Sequence, residues 1–204
     1  MLLDFNGLVE KHKMEIKGVI HIGAHHGQEN TLYKQNNIKN IVYFEPLQSN
    51  FDVLKHNVGE GPLLFNCALG NDEKEIEMFV ETANMGQSSS VLEPALHATQ
   101  YPHIVFDRKE KVSMRKLDNI GLEMENYNFI NIDVQGYELE VFKGSINTLS
   151  HIDYIIAEIN REELYKNCSQ ISDLKEFLSE YGFELVEEAW IGGNWGDGLF
   201  IKKK

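Results

Sequence analysis

The sequence predicts a doubly wound α/β fold on a mostly parallel sheet, and three observations carry that prediction. Strand-length apolar runs alternate with stretches of helical periodicity. The first run empties into a glycine-bearing turn, and the second closes on a carboxylate followed by proline.

The apolar runs are Gly18-Val19-Ile20-His21-Ile22, Ile41-Val42-Tyr43-Phe44, Leu63-Leu64-Phe65, Phe129-Ile130-Asn131-Ile132 and Tyr154-Ile155-Ile156-Ala157. Each is rich in β-branched or aromatic residues, as strands buried on both faces are, so they are expected to be five parallel strands. Helices are expected between them over Thr31 to Gln35, Gln48 to Asn57 and Glu138 to Leu149. In the last of these Leu139, Val141, Phe142 and Ile146 form an apolar face, and Gly144 is expected to bend or end it. The β-α-β order implies right-handed crossovers with helices on both faces of the sheet.

The stretch from Glu81 to Arg108 breaks this rhythm and is expected to be a long substrate-facing loop. Beyond it, Ile171 to Tyr181 has helical spacing. Phe183-Glu184-Leu185-Val186 and Gly198-Leu199-Phe200-Ile201 then read as strands joined by the glycine-rich 192–197 segment, an antiparallel hairpin at the sheet edge. The complete sheet is therefore expected to be mostly parallel with an antiparallel C-terminal edge hairpin.

A chain of 204 residues fits one domain, 1–204. Its formal net charge of −13 argues against a nucleic acid as substrate, because phosphate binding draws on basic residues. The terminal Lys202-Lys203-Lys204 run is read as a solvated tail. Two cysteines, Cys67 and Cys168, make no disulfide framework and match no metal spacing. The first residues, Met1-Leu2-Leu3-Asp4-Phe5, lack a cationic leader, and no run approaches the roughly 18 apolar residues of a membrane span. A cytoplasmic location is expected.

The chemistry begins at Gly23-Ala24-His25-His26-Gly27, where the first strand ends. Glycine lets the backbone turn sharply and approach a ligand closely. Glu45 ends the second strand about twenty residues on, where a carboxylate can accept hydrogen bonds from the ribose of a nucleoside cofactor lying across the strand ends. Pro46 follows it. Asn66-Cys67-Ala68-Leu69-Gly70 should lie beside Glu45 and offer an apolar wall to an adenine ring. Asp133 ends the fourth strand near the sheet centre, with Val134 next to it, and Glu158 ends the fifth, so two carboxylates converge on one crevice.

Gly18 to Gly27, Tyr43-Phe44-Glu45-Pro46-Leu47 and Ile132-Asp133-Val134-Gln135-Gly136-Tyr137-Glu138 with Lys143-Gly144 resemble the FkbM family of S-adenosylmethionine-dependent methyltransferases. Leu117-Asp118 and Trp195-Gly196-Asp197-Gly198-Leu199-Phe200 extend the resemblance over roughly residues 16–201. It implies a seven-stranded sheet with an antiparallel last strand, S-adenosylmethionine as methyl donor, and an oxygen acceptor on a sugar, glycan or glycosylated small molecule. Carried over, Gly23, Ala24, His25, Gly27, Glu45, Pro46, Ala68, Leu69, Asp133 and Val134 would line the cofactor. Three positions depart from the pattern: His21 stands where an acidic residue is common, Asn131 where lysine is frequent, and Gln135 replaces a glutamate.

A base within reach of the acceptor hydroxyl helps it lose its proton. Asp133 is the first candidate, with His25 and Glu158 behind it and His26 considered beside them. A divalent metal on Asp133, Glu158 and a histidine is chemically conceivable, but the spacing is not diagnostic and no metal ligands are predicted. Ser88, Ser89 and Ser90 are candidates for contact with cofactor or acceptor, and Tyr101, His103, Trp190 and Trp195 could face a sugar ring. Two alternatives stand beside the methyltransferase. One is an NAD(P)-dependent oxidoreductase, which lacks support because no G-x-G-x-x-G is present. The other is a non-catalytic cofactor- or glycan-binding module, suggested by the uncharged Asn131 and Gln135.

Overall fold

The structure is a computed structural model that describes residues 1–203; Lys204, the end of the basic run read as a tail, lies outside the described residues. In chain order the elements are α1 (Phe5–His12), β1 (Gly18–Ile22), α2 (Asn30–Gln35), β2 (Asn40–Phe44), α3 (Gln48–Val58), β3 (Leu63–Phe65), β4 (Ala68–Leu69), β5 (Lys74–Glu81), α4 (Leu96–Gln100), β6 (Phe106–Arg115), β7 (Phe129–Ile132), α5 (Glu138–Lys143), α6 (Ile146–Leu149), β8 (Tyr154–Asn160), α7 (Ile171–Glu180), β9 (Phe183–Ile191) and β10 (Trp195–Lys202).

The main sheet has seven strands in the order β3-β2-β1-β7-β8-β10-β9. β1 pairs in parallel with β2 and β7, and β10 runs antiparallel to both β8 and β9. All five expected parallel strands and the edge hairpin are present, and the hairpin strands run longer than the apolar cores that marked them. The strand order reverses between β1 and β7, and a crevice opens outside the carboxyl ends at such a point.

β1 explains why it is a central strand. All five of its residues are buried, with Ile20 and Ile22 in the apolar layer that includes Phe142 and Leu174, and Val19 in the opposite layer with Phe5, Tyr33 and Leu54. That alternation is the period of two that a doubly covered strand imposes. α3 presents Asn50, Leu54 and Val58 inward at four-residue spacing. α7 starts on a capping box between Gln170 and Asp173.

Gly144 ends α5. A Cβ there would lie 1.9 Å from the Gly70 carbonyl oxygen, so only glycine permits this contact between helix and turn. The Asp118 carboxylate then accepts the amides of Asn147 and Thr148 at 2.9 and 2.8 Å and starts α6.

A second sheet of three strands, β4-β6-β5, was not expected. Its two long strands, β5 and β6, mix charged and apolar residues. Ile76, Met78, Val80, Val112 and Met114 pack inward with Ala68 and Leu47. On the outer face Lys111 pairs with Glu75 at 3.0 Å and Lys109 with Glu77 at 3.6 Å. The 81–108 stretch is therefore the connection of a long hairpin, containing α4, and not one continuous loop.

Candidate functional site

Two adjoining cavities open at the carboxyl ends of β1, β2, β7 and β8. The first is a slot of about 60 Å³ bounded by Gly23, Glu45, Pro46, Ala68, Leu69 and Val134, with Asn50, Gln87 and Tyr137 that the sequence reading did not single out. The second is a chamber of about 500 Å³ that includes Ala24, Asn131, Glu158, Asp197 and Trp195 in its wall. Gly23, His25, Gln87, Asp133 and Gln135 line both. Gly27 borders neither: its φ is +73° and it faces Leu54 and Val58 of α3, so it shapes the turn and its packing.

The turn after β1 is set by backbone geometry. Gly23 has φ +77°, and a Cβ on it would lie 1.8 Å from the Asp133 carbonyl oxygen. The amides of Gly23 and Ala24 both donate to the Phe44 carbonyl at 3.0 Å. The β1 and β2 ends are thus tied together, which brings Glu45 to the turn.

Glu45 is 4% exposed, and its two carboxylate oxygens accept the amides of His25 at 2.8 Å and Leu47 at 2.9 Å. Each oxygen keeps a lone pair for a further donor. Burial pushes the Glu45 carboxyl up to about 7, against the pull of those two amides. Asn66 donates to the Glu45 and Pro46 carbonyls at 2.9 and 3.0 Å and fixes the strand end.

On the other side of the turn, Asp133 is exposed at the end of β7, and its Oδ1 accepts Gln135 Nε2 at 2.8 Å. The same amide donates to Glu158 Oε2 at 2.6 Å. Gln135 therefore sits between the two carboxyl groups as a neutral clamp. Its backbone is left-handed, φ 56°, and its carbonyl accepts the Ser90 hydroxyl at 2.8 Å. Burial, and then the neighbouring Asp133 charge, push the Glu158 carboxyl well above the usual range. Glu158 is buried beside Asp133, and its second oxygen accepts the Asn160 side-chain amide at 3.4 Å. Beneath the loop, buried Glu138 accepts the amides of Val134 and Gly136 at 3.1 Å each.

His25 has both ring nitrogens engaged, Nε2 with the Met85 carbonyl and Nδ1 with the Gln28 amide, each at 2.8 Å. Its ring stacks on His26 at 3.7 Å. These contacts make His25 a latch between the glycine turn and the segment 82–91. Glu81 secures that segment from below by accepting the Asn84 amide at 2.6 Å. Ser89 lines the slot and Ser88 the chamber, whereas the Ser90 hydroxyl is spent on Gln135.

The two strand departures explain each other. His21 and Asn131 are register partners on β1 and β7, and both are buried. His21 Nδ1 lies 3.2 Å from the Tyr33 hydroxyl, and Asn131 Nδ2 donates to that hydroxyl at 2.7 Å and lies 3.4 Å from His21 Nε2. Burial pushes the His21 pKa down. A neutral hydrogen-bonded set thus occupies the place where the resembling pattern carries an acid and a lysine.

Among the described residues no group of three or more His, Cys, Asp or Glu side chains is arranged to hold a metal ion. Among the same residues, no helix is long and apolar enough to cross a membrane.

The carboxyl values carry a stability prediction. Glu45, Glu138 and Glu158 are all raised above the ordinary carboxyl value of 4.5 by burial. A raised carboxyl stabilises the fold fully below its unfolded pKa, and that contribution is lost as pH rises towards the folded value. The ligand-free Tm is expected to fall between pH 5 and pH 8, by about 2–4 °C for each kcal/mol lost. Glu45→Gln should flatten the decline up to pH 7, as measured by calorimetric melting.

Comparison with known proteins finds relatives of this chain. The family model described as Methyltransferase FkbM domain matches residues 21–185. The 2-O-methyltransferase NoeI of Sinorhizobium fredii (strain NBRC 101917 / NGR234) is 27% identical over 182 residues, covering 83% of this chain and 73% of NoeI. Magnesium protoporphyrin IX methyltransferase (ChlM) from Synechocystis PCC 6803, solved with bound SAM, superimposes with a TM-score of 0.56 at 10% identity, over 97% of this chain and 76% of that one. The 1,6-didemethyltoxoflavin-N1-methyltransferase of Burkholderia thailandensis superimposes with a TM-score of 0.53 at 10% identity, over 98% of this chain and 76% of that one. These solved structures share the fold.

Proposed function

Because the chain belongs to the FkbM methyltransferase family, we propose that it is a single-domain, cytoplasmic enzyme that methylates a sugar or glycan hydroxyl using S-adenosylmethionine. The observation that carries this reading is that Asp133 lines both the slot and the chamber. A group bound in the slot and a group bound in the chamber meet at that carboxylate. The sugar hydroxyl as acceptor is supported by the likeness to a 2-O-methyltransferase.

The slot fits the cofactor in the acceptors it offers. Glu45 has lone pairs left for two ribose hydroxyls. Ala68, Leu69 and Val134 offer flat apolar contact. S-adenosylmethionine, when bound, supplies an electrophilic methyl group. Asp133 receives the hydroxyl proton of the acceptor, and Gln135 holds its carboxylate in place. Glu158 holds the Gln135 amide from the far side, and His25 ties the segment 82–91 to the glycine turn.

The test is calorimetric binding of S-adenosylmethionine to wild type and Glu45→Ala, followed by methyl transfer to a panel of glycosides. A hydrogen bond to a charged group is worth about 1.5–3 kcal/mol, so the variant should bind tenfold or more weakly. Absence of wild-type binding would overturn the reading. Binding with no transfer to any hydroxyl would favour the cofactor-binding module.

A further inference from the structure

The slot and the chamber share one wall, the segment 82–91. Gly86, Gln87, Ser89 and Val91 face the slot, while Asn84, Gln87 and Ser88 face the chamber. The base of the segment is fixed. Ser90 exchanges backbone hydrogen bonds with Phe79 at 2.8 and 3.0 Å, the Tyr165 hydroxyl donates to the Ser88 carbonyl at 2.7 Å, and Glu81 accepts the Asn84 and Ser88 amides at 2.6 and 3.5 Å. The tip, residues 85–87, is held by much less. Among the described residues one hydrogen bond joins it to anything outside the segment, between His25 Nε2 and the Met85 carbonyl at 2.8 Å. Met85 is 62% exposed and adds little apolar burial, so the tip has the few contacts of a part that opens locally.

Gln28 sets the direction of that bond. Its side-chain amide donates to His25 Nδ1 at 2.8 Å, so Nδ1 is the acceptor nitrogen and Nε2 carries the hydrogen that the Met85 carbonyl receives. Next to Met85, Gly86 comes down on Asn50 of α3, where an added Cβ would lie 2.9 Å from Asn50 Nδ2. With the tip in this position the slot measures about 60 Å³, whereas sites that enclose a drug-sized ligand run from about 300 Å³ upward. An adenosine group passes only if the tip lifts. Lifting it also takes Gln87 out of the chamber wall.

Resting on the methyltransferase reading, we propose that the tip 85–87 is a lid over the cofactor slot and that His25 is its latch, a positioning residue that sets the rates of cofactor entry and release through the Met85 carbonyl. The latch is closed both before the cofactor enters and after it is bound. Its loss therefore lowers the barrier to opening in both states and leaves the balance between them unchanged. A side chain that held the cofactor directly would behave differently, changing affinity through release alone.

The test uses the full chain and His25→Asn. Asparagine tolerates the left-handed backbone at φ 47°, keeps an amide where Nδ1 stands, and is too short to reach Met85. The latch is read first without cofactor, by amide hydrogen exchange at Gln87 and Ser89, whose amides donate to the Asn84 and Gly86 carbonyls at 3.2 and 3.1 Å. In the variant their exchange should quicken about threefold to tenfold, the weight of one hydrogen bond, while the melting curve stays at its wild-type position. Stopped-flow mixing with S-adenosylhomocysteine then reads the lid: association and dissociation should quicken by the same factor, with Kd at its wild-type value. His25→Gln, whose amide reaches as far as Nε2, should return both rates towards wild type. Unchanged exchange, unchanged rates, or a raised Kd with unchanged association would each overturn the proposal. Failure of the wild type to bind S-adenosylhomocysteine would count against the methyltransferase reading itself, and the exchange result would then decide the latch alone.

Discussion

Asp133→Asn is expected to lower kcat by about 10²–10⁴-fold, the span general-base assistance commonly provides. The substitution keeps the side chain's volume and removes its capacity to receive a proton. Asp133 is exposed at the junction of the two cavities, so its replacement leaves no buried charge uncompensated. Cofactor affinity and Tm should therefore change little, and the loss should fall on kcat and not on the acceptor's KM. Steady-state kinetics with a glycoside acceptor, alongside cofactor calorimetry, checks this. A fall of less than tenfold would mean that alignment alone carries the reaction and that Asp133 is not the base.

Gly23→Ala is expected to cost about 10²-fold or more in kcat/KM, and stability with it. Two effects combine. An alanine at φ +77° bears roughly 1–2 kcal/mol of left-handed strain. Its Cβ also meets the Asp133 carbonyl oxygen at 1.8 Å, a contact with backbone that rotamer change cannot relieve. The β7 end must shift, and displacement of a catalytic group by about 1 Å can cost 10²-fold. Gly192→Ala separates the two effects, because Gly192 has φ +59° and nothing within 4 Å of an added Cβ. If both variants lose the same Tm and the same kcat/KM, strain alone is responsible and the close approach of the turn to Asp133 has no catalytic weight.

The parallel strands were legible because burial on both faces demands uninterrupted apolar runs, and β1, β2, β7 and β8 have them. Gly23, Glu45, Asp133 and Glu158 were legible for a related reason, since each lies where such a run stops. The second sheet escaped notice because β5 and β6 are covered on one face only. Lys74 to Glu81 and Phe106 to Arg115 therefore mix charge with apolar residues and read as irregular. Gly144 was expected to bend or end its helix, but the cause, the backbone of Gly70 arriving from the other sheet, is absent from local sequence.

By itself the sequence determined the order of the parallel strands, the doubly wound class and the places where the apolar runs stop, because these depend on burial period and local turn stereochemistry. Only the tertiary structure decided what those residues do together. It made His21 and Asn131 register partners in one neutral network, inserted the Gln135 amide between Asp133 and Glu158, and engaged both nitrogens of His25. It also raised the Glu45 and Glu158 carboxyls by burying them. The physical reason is that desolvation and hydrogen-bond pairing depend on which groups meet in space, and most of these partners lie far apart in the chain.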